Sequence, residues 1–259
     1  MPEYLVKLLS KKEVAEKTTA FFFEKPKGFR FVPGQFIEIT LNKETYPFSI
    51  ASSPKEKDLM ITTRMRASKF KNSLKKLKIG SRVKIDGPFG QFILHKNKNI
   101  PAVFLAGGIG ITMPRSIIKN HPDRKIILFY SNRKQKDAAF LEELKKLESK
   151  NQSTQRNLSA RPSSQHFESS GFKMIAIMTR EPVRPVRQIL RVVNKVESQA
   201  QGKNGKHINP KMLKDNLKDW RKSIYYAVGS TGFVQSMAAL LAKMKIKPEQ
   251  IKTENFSGY

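Results

Sequence analysis

The hydrophobic pattern of this 259-residue chain changes near residue 98, and that change limits the possible folds more than any other feature. Before it, short alternating segments are separated by Pro and Gly residues, which is typical of an antiparallel barrel or sandwich. After it, continuous apolar strands alternate with helical segments, which favours a parallel α/β sheet. We therefore predict a β-barrel domain over residues 1–98 and an α/β domain over residues 99–259.

Local signals predict the individual elements of each half. In the first half, strands are predicted at residues 35–41, 48–51, 59–64 and 82–86. One helix interrupts them, because Ser68 is a suitable N-cap and Phe70, Leu74 and Leu77 recur on one helical face. In the second half, strands are predicted at residues 102–106, 125–130, 174–178 and 224–228, with a fifth possible at residues 251–256.

Helices are predicted between the strands of the second half. One follows the turn at residues 107–112, one begins at Asp137 as its N-cap, and one begins at Asn209-Pro210. A longer helix is predicted over residues 232–244. Residues 151–204 are expected to be irregular or inserted, apart from the strand at residues 174–178. Within them, residues 151–171 predict a mobile loop because they are rich in Ser, Gln and Arg. Residues 183–200 form either a basic amphipathic helix with a docking role or an ordinary packed helix.

The composition excludes several kinds of chemistry. The chain has no Cys, which excludes disulfides, thiolate metal sites and cysteine-ligated clusters, so any redox chemistry requires a bound organic cofactor. The His residues show no metal-ligand spacing, so no metal is predicted and all are expected at the surface: His95, His121, His166 and His207. Residues 1–12 lack the apolar core of a signal peptide, and no run is long enough to span a bilayer. A cytoplasmic chain without a transmembrane segment is therefore expected.

The formal net charge is +29, from 50 Lys and Arg residues against 21 Asp and Glu residues. Such a field favours acidic partners and raises non-specific binding to nucleic acid. No nucleic-acid-binding motif accompanies the charge, so no specific nucleic acid is predicted as a partner.

The predicted helix at Ser68 begins with an unusual concentration of cations. Lys69 and Lys71 lie in its first turn, and Arg64 and Arg66 come just before it. Cations oppose the helix dipole there, whereas a bound anion would reverse that penalty. The segment is therefore either an anion site or a solvated basic face.

Two glycine-rich turns follow predicted parallel strands. Residues 107–112 and 229–232 each lie between a strand and a helix, where glycines let a diphosphate approach the backbone. Ser131, Asn132 and Arg133 follow the second strand, where a polar pair suits a ribose and an arginine suits a 2′-phosphate. Each glycine-rich turn alone is weak evidence for a ligand site, and Ser131–Arg133 could be a surface turn. Together they predict a ligand crevice at one sheet edge.

The order of motifs resembles the ferredoxin–NADP⁺ reductase superfamily of flavin oxidoreductases. The resemblance covers roughly residues 1–149 and 205–259. Each motif alone is modest evidence for the family, whereas six motifs in the family's order are specific evidence. The matching pieces are Pro33-Gly34-Gln35, Tyr46-Pro47-Phe48-Ser49-Ile50-Ala51-Ser52-Ser53-Pro54, Gly87-Pro88-Phe89-Gly90, residues 107–112, Tyr130-Ser131-Asn132-Arg133 and Phe256-Ser257-Gly258-Tyr259.

The resemblance implies an antiparallel flavin-binding barrel and a nicotinamide-binding α/β domain, with FAD and NADPH or NADH as cofactors. Ser49, near flavin N5, and Tyr259, over one flavin face until nicotinamide displaces it, are the implied catalytic residues. Phe48 would lie against the isoalloxazine ring. The other implied flavin-binding residues are Tyr46, Pro47, Arg64, Met65, Lys69, Phe70 and Lys71.

The resemblance also places the nicotinamide nucleotide. It implies that one glycine-rich turn cradles it with Gly107, Gly108, Gly110 and Thr112, and the other with Gly229, Ser230, Gly232 and Phe233. Ser131 and Asn132 would contact the ribose. Arg133 would meet a 2′-phosphate, which favours NADPH.

The chain departs from the family pattern at two positions. Tyr46 stands where the family usually has an Arg that contacts a flavin phosphate, and Val228 stands where a Cys often precedes Gly229. The implied activity is hydride transfer from NAD(P)H to FAD and onward to a separate acceptor, such as an acidic ferredoxin or flavodoxin or a small molecule. The alternative is a non-catalytic member with weakened flavin binding, acting as an electron-transfer subunit or interaction protein.

Overall fold

The computed structural model describes residues 3–159, 171–180 and 207–256, with backbone alone for residues 151–159. Two sheets organise this part of the chain, one antiparallel and one parallel. The antiparallel strands end at Phe89 and the parallel ones begin at Ala102, so the proposed division near residue 98 lies in the connecting segment. No helix in the described ranges is long and apolar enough to cross a membrane.

Six antiparallel strands form the first sheet. Their order across the sheet is β4-β3-β6-β1-β2-β5, and a bridge between Ile50 and Ile61 joins the two outer strands. That bridge closes the sheet into the predicted barrel. The strands are β1 (Glu3–Ala15), β2 (Thr18–Phe23), β3 (Phe36–Leu41), β4 (Glu44–Ser49), β5 (Leu59–Arg64) and β6 (Arg82–Phe89).

The barrel interior is filled by alternating side chains of these strands. On β1, Val6 and Leu8 are buried while Leu5 and Lys7 are exposed, as the two-residue period of a strand requires. The helix α1 (Lys69–Lys76) lies against the barrel through Phe70 and Leu74. The predicted N-cap is confirmed, because Ser68 accepts a hydrogen bond from the Lys71 amide at 3.1 Å.

Five parallel strands form the second sheet, in the order β11-β10-β7-β8-β9. Together with the barrel, this sheet confirms the predicted fold class. The strands are β7 (Ala102–Gly107), β8 (Ile126–Asn132), β9 (Phe172–Met178), β10 (Ile224–Ser230) and β11 (Ile251–Phe256). The helices of this domain are α2 (Thr112–Asn120), α3 (Leu141–Ser159), α4 (Pro210–Asn216) and α5 (Thr231–Lys243). Because the strands are parallel, their carboxyl ends meet at one edge, as a ligand crevice requires.

Two expectations for the second domain are wrong. Asp137 does not cap α3, which begins at Leu141. Instead, Asp137 ends a short 3₁₀ turn, and its carboxylate binds Arg64 of the barrel at 3.0 Å. Residues 151–159 are helical rather than a loop, because α3 continues to Ser159. The remainder of the predicted loop, residues 160–170, and the predicted amphipathic helix at residues 183–200 lie outside the described residues.

Candidate cofactor-binding site

The polar face of α2 joins the two domains. Thr112 Oγ1 lies 2.7 Å from Ser49 Oγ, and Ser116 Oγ donates to the Ser52 carbonyl at 2.6 Å. These contacts recur at the helical spacing of three to four residues, so one side of α2 faces the segment that follows β4. We call this contact the seam. It fixes the carboxyl end of β4 beside the glycine-rich turn of the α/β domain.

A buried arginine is the centre of the seam. The Arg115 guanidinium donates to the Ala51 carbonyl at 2.6 Å and forms ion pairs with Glu56 of the barrel and Glu143 of α3 at 3.0 and 2.7 Å. Lys119 binds both carboxylates as well. Burial alone would raise the pKa of Glu56, but the hydrogen bonds and charges of Arg115 and Lys119 lower it to about 2.

A cleft of about 450 Å³ opens where β4, α1 and β11 converge, and we call it the barrel cleft. Six of the predicted flavin-binding residues line it: Tyr46, Pro47, Phe48, Ser49, Phe70 and Lys71. Two further lining residues, Ser68 and Phe256, belong to the candidate anion site and to the terminal motif. Four others were not singled out from the sequence: Phe36, Met113, Glu254 and Asn255.

Aromatic rings form one wall of the barrel cleft. Phe48 is buried and stacks on Phe70 with ring centroids 5.8 Å apart, and Tyr46 lies 4.6 Å from Phe70 on the outer side. Such a wall suits a planar aromatic ligand, which offset stacking would hold. Tyr46 is 48% exposed and therefore stands at the mouth of the cleft.

The start of α1 supplies the cationic part of the barrel cleft. Lys71 is half-buried, and its Nζ donates to the Arg64 carbonyl at 3.0 Å. Burial lowers the pKa of Lys71, and the neighbouring charge of Arg66 lowers it further. An anion bound beside Lys71 would offset both effects. Lys69, by contrast, points outward with 82% of its side chain exposed.

A carboxyl group closes the opposite side of the barrel cleft. Glu254 lies on the edge strand β11, and burial raises its pKa. Phe256 ends the same strand. No motif in the sequence singled out Glu254, because its place in the cleft depends on β11 pairing with β10 rather than on any local pattern.

A second cleft, of about 290 Å³, lies at the carboxyl ends of the parallel strands, and we call it the sheet-edge cleft. The predicted residues that line it are Arg64, Gly107, Gly108, Ser131, Asn132, Arg133, Ser230 and Phe233. The others are Arg66, Ile109, Asp137, Thr179 and His207. Arg64 therefore faces this cleft and not the barrel cleft, where the sequence analysis placed it.

Two glycines, Gly108 and Gly110, have different surroundings in the turn beside the sheet-edge cleft. Gly108 has φ +54°, and no atom lies within 4 Å of the position where a Cβ would stand. Gly110 has the opposite environment, because a Cβ there would lie 2.5 Å from the Val228 carbonyl oxygen. Gly108 therefore leaves room for a ligand, while Gly110 lets the turn pack on β10.

A buried amide also points to a ligand in the sheet-edge cleft. Asn132 is 5% exposed, and its side-chain amide lies beside the Tyr130 hydroxyl without a well-formed hydrogen bond to any residue that the structure describes. A buried amide without partners is costly, and a ribose hydroxyl would satisfy it.

Several predicted site residues line neither cleft. Met65 packs against the barrel core, Thr112 is buried in the seam, and Gly229 is packed between Gly107 and Phe233. Lys69, Gly110 and Gly232 are also outside the two linings. Tyr259 lies outside the described residues.

Two histidines, His95 and His121, differ from the surface positions expected for them, and His166 lies outside the described residues. His95 is half-buried, and its ring lies 3.1 Å from the Tyr226 hydroxyl and 3.0 Å from Arg124. Burial lowers its pKa, and the charge of Arg124 adds to that effect. His121 is also half-buried, while His207 is exposed beside the sheet-edge cleft. Within the described residues no cluster of three acidic or His side chains could hold a metal ion.

Comparison with known families identifies the cofactors of this chain. Residues 104–239 match the oxidoreductase NAD-binding domain family, and residues 5–93 match the oxidoreductase FAD-binding domain family. The first match covers more than half of the chain. The chain belongs to the ferredoxin–NADP⁺ reductase superfamily. Its cofactors are FAD and a nicotinamide nucleotide.

Curated relatives of this superfamily match about half of the chain. A flavohemoprotein from Oceanobacillus iheyensis is 26% identical in an alignment of 144 positions, which covers 48% of this chain and 36% of that protein. A probable dihydroorotate dehydrogenase B (NAD⁺) electron transfer subunit from Pyrococcus furiosus is 34% identical over 128 residues, which are 49% of this chain and 48% of that protein. The matched segments span less than half of either relative.

Solved structures of the superfamily share the whole fold. Ferredoxin–NADP⁺ reductase from Plasmodium falciparum aligns over 98% of this chain and 96% of its own, with a TM-score of 0.71 and 15% identity. The cytochrome P450 reductase GcoB from Amycolatopsis aligns over 98% of this chain and 70% of its own, with a TM-score of 0.72 and 17% identity. At these identities the likeness concerns the fold alone.

The two clefts fit the cofactors of the superfamily. The barrel cleft offers the aromatic wall, the Ser49 hydroxyl and the half-buried Lys71 that a flavin nucleotide needs. The sheet-edge cleft offers open backbone at Gly108 and an unsatisfied amide at Asn132, which suit a dinucleotide.

Proposed function

We propose that this protein is an NAD(P)H-dependent FAD oxidoreductase that passes electrons to a separate acceptor. The observation that carries the proposal is the 2.7 Å contact between Ser49 and Thr112, because it joins the edge of the barrel cleft to the turn of the sheet-edge cleft. FAD, when bound, accepts a hydride from the nicotinamide and releases the electrons to the acceptor. The protein's own part is to hold the two cofactors in contact and exclude water.

Each proposed role follows from a residue's place in the clefts. Phe48 and Phe70 would pack against the flavin ring, and Lys71 with the α1 amides would bind its diphosphate. Ser49 offers a hydroxyl to the flavin and is held in place by Thr112. The proposed role of Tyr259 as a cover over the flavin is unchanged by the structure.

NADPH is the proposed physiological nucleotide. Arg133 lies on the rim of the sheet-edge cleft directly after Asn132, where the adenosine ribose of a nucleotide along the strand ends would reach it. A guanidinium there would bind a 2′-phosphate with charge-assisted hydrogen bonds.

The acceptor is proposed to be an acidic electron-carrier protein. The net charge of +29 supports this, because it would attract such a carrier over long range. Relatives named as electron-transfer or reductase components support transfer to a partner, among them the reductase component of propane 2-monooxygenase from Rhodococcus jostii. A cytoplasmic location, where NAD(P)H is available, belongs to the same proposal.

Tyr46 favours a second candidate function, a non-catalytic electron-transfer or interaction subunit with weak flavin binding. Its ring packs on Phe70 at the mouth of the barrel cleft, where a cation would otherwise reach a phosphate. The two candidates differ in flavin affinity, so Tyr46→Arg discriminates between them.

The experiment is a titration of the purified chain with FAD, followed by steady-state reduction of a neutral dye with NADPH or NADH. We expect a perturbed visible spectrum of bound flavin, and dye reduction that depends on both FAD and the nucleotide. Unchanged spectra and fluorescence of added FAD would contradict the enzyme assignment. Flavin binding that appears only in Tyr46→Arg would support the non-catalytic candidate.

A further inference from the structure

The barrel exposes aliphatic side chains at the end opposite the barrel cleft. Leu5 is 63% exposed and Leu9 37% exposed on the outer side of β1, and Ile79 is 59% exposed in the turn between α1 and β6. The Gly80 amide donates to the Leu8 carbonyl at 2.8 Å, which brings this turn beside the end of the Leu5–Leu9 run. Leu5 and Leu9 are thus exposed on either side of Lys7, and Ile79 lies in the adjoining turn.

Cations surround these aliphatic side chains. Lys7 of β1 pairs in register with Arg82 of β6, and Lys78 lies in the turn itself. None of the three has an ion-pair partner among the described residues, whereas the nearby Glu3 is already paired with Lys84. We call this surface the Ile79 patch, and its members are Leu5, Lys7, Leu9, Lys78, Ile79 and Arg82.

The segment from α1 to β6 is basic, although Glu24 lies beside Lys7, whose carbonyl accepts from the Glu24 amide at 2.9 Å. Between residues 69 and 85 there is no Asp or Glu, and the cations are Lys69, Lys71, Lys75, Lys76, Lys78, Arg82 and Lys84. The later members of this run, from Lys75 to Lys84, lie in the last turn of α1, in the turn that follows and in β6, so basic residues outnumber acidic ones around the exposed aliphatic residues.

The Ile79 patch is separate from the cofactor clefts. It lies at the beginning of β6, whereas Phe89 at the end of β6 packs on Phe36 of the barrel cleft. An eight-residue strand spans about 25 Å. A ligand on the patch would thus leave both clefts open.

We propose that the Ile79 patch binds the surface of an anionic lipid bilayer. Protein interfaces are enriched in aromatic residues and Arg and depleted in Lys, whereas this patch is aliphatic and its basic surroundings are mostly Lys. Clustered lysines bind acidic headgroups, and exposed aliphatic side chains enter the boundary between headgroups and acyl chains.

The test is co-sedimentation of the full chain with vesicles of phosphatidylcholine alone or with phosphatidylserine. We expect binding only to the anionic vesicles. Lys7→Glu with Lys78→Glu should weaken it about tenfold or more, since each lysine near such a surface contributes strongly. The matched control is Lys222→Glu with Lys247→Glu on the α/β domain, which makes the same change in net charge at exposed positions.

A second pair of variants tests the aliphatic contribution. Leu5→Ser with Ile79→Ser should weaken vesicle binding several-fold, whereas Val32→Ser should leave it unchanged, although Val32 is also exposed at 48%. Val32 lies in the turn with Gln35, away from the patch. Circular dichroism and thermal unfolding of every variant should match the parent, because all these side chains are on the surface.

Three results would overturn the proposal. If the patch double variant and the control double variant lost vesicle binding equally, overall charge rather than the patch would account for the binding. Equal binding to neutral and anionic vesicles would remove the role of the lysines. Unchanged vesicle binding in both patch variants, together with weaker binding to an acidic carrier protein, would show that the patch docks a protein instead.

Discussion

The barrel cleft and the sheet-edge cleft meet at the seam, yet they offer a ligand different groups of atoms. Side chains build the barrel cleft, with the ring of Phe48, the hydroxyl of Ser49 and the ammonium of Lys71 on its walls. The sheet-edge cleft depends on backbone, with open space above Gly108 and a single buried amide at Asn132.

This difference predicts opposite responses to substitution. A cleft built by side chains is impaired when a side chain is removed, because its ligand loses stacking or charge. A cleft built by backbone is impaired when a side chain is added, because the new Cβ occupies the ligand's place or strains a left-handed φ. Arg133 is expected to act only on a 2′-phosphate, so the contrast concerns the rest of the nucleotide. It is contradicted if both clefts respond there to the same kind of change.

The largest expected effect is on stability, from Gly110→Ala. The new Cβ would lie 2.5 Å from the Val228 carbonyl oxygen, so the turn and β10 must separate. We expect a loss of about 1–3 kcal/mol in the free energy of unfolding, because overpacking against backbone cannot be relieved by rotation of a side chain. Denaturant unfolding monitored by Trp220 fluorescence measures it.

Gly108→Ala is the matched control for that change. Its Cβ meets no protein atom, although its φ of +54° carries a strain of about 1–2 kcal/mol. It should weaken nicotinamide binding more than Gly110→Ala does. Similar nucleotide affinities in both variants would mean that the ligand does not approach the backbone at Gly108.

The next effect concerns the barrel cleft. Lys71→Met should weaken FAD binding about tenfold or more, since a charge-assisted contact contributes about 1.5–3 kcal/mol. Lys69→Met removes the same charge from a side chain that lines neither cleft, so it should change the affinity little. Flavin fluorescence titration measures both, and equal losses would show that the cleft attracts FAD by general charge.

A smaller effect is expected for nucleotide choice. Arg133→Ala should lower kcat/KM for NADPH about tenfold and leave NADH almost unchanged, because NADH lacks the 2′-phosphate. Arg180→Ala is the control, since Arg180 is also exposed and its amide donates to the Arg133 carbonyl, but it is outside the cleft lining. Equal losses for NADPH and NADH would remove Arg133 from phosphate recognition.

The remaining prediction concerns the pH dependence of stability and tests the seam that holds the clefts together. The pKa of Glu56 is about 2 in the folded protein and 4.5 otherwise, so its stabilisation is complete above 4.5 and is lost as the pH falls towards 2. Glu56→Gln should flatten the dependence of stability on pH in that window. Glu142→Gln, which removes an exposed ion pair with Lys145, should keep the parent's dependence.

The fold could be predicted where hydrophobic period and capping residues agree. The α1 helix begins at its expected cap, and β5 and β11 have the predicted bounds. The first two strands were missed. On β1, the apolar residues Leu5 and Leu9 are at exposed positions and hide the alternation of apolar and polar residues. Register shifts also interrupt the pairing of β1 with β2.

Other features depend on contacts that no local pattern encodes. The helical continuation of α3 through residue 159 carries almost no aliphatic residues, so periodicity could not distinguish it from a loop. Asp137 resembles an N-cap, but the barrel residue Arg64 competes for its carboxylate. Glu254 enters the barrel cleft only because β11 pairs with β10 at the sheet edge. The motifs therefore located both clefts, and tertiary pairing decided which side chains face them.

The central claim is that the two clefts bring FAD and NAD(P)H into direct contact. The most direct test is a single-turnover experiment, in which the FAD-loaded chain is mixed anaerobically with NADPH or with NADPH carrying deuterium at nicotinamide C4. We expect rapid loss of the flavin's visible absorbance, slowed by the deuterium because the transferred hydride is the labelled atom. Direct contact would be contradicted if neither nucleotide reduced the bound flavin. It would also be contradicted if both isotopes gave the same rate under conditions where the chemical step limits the rate.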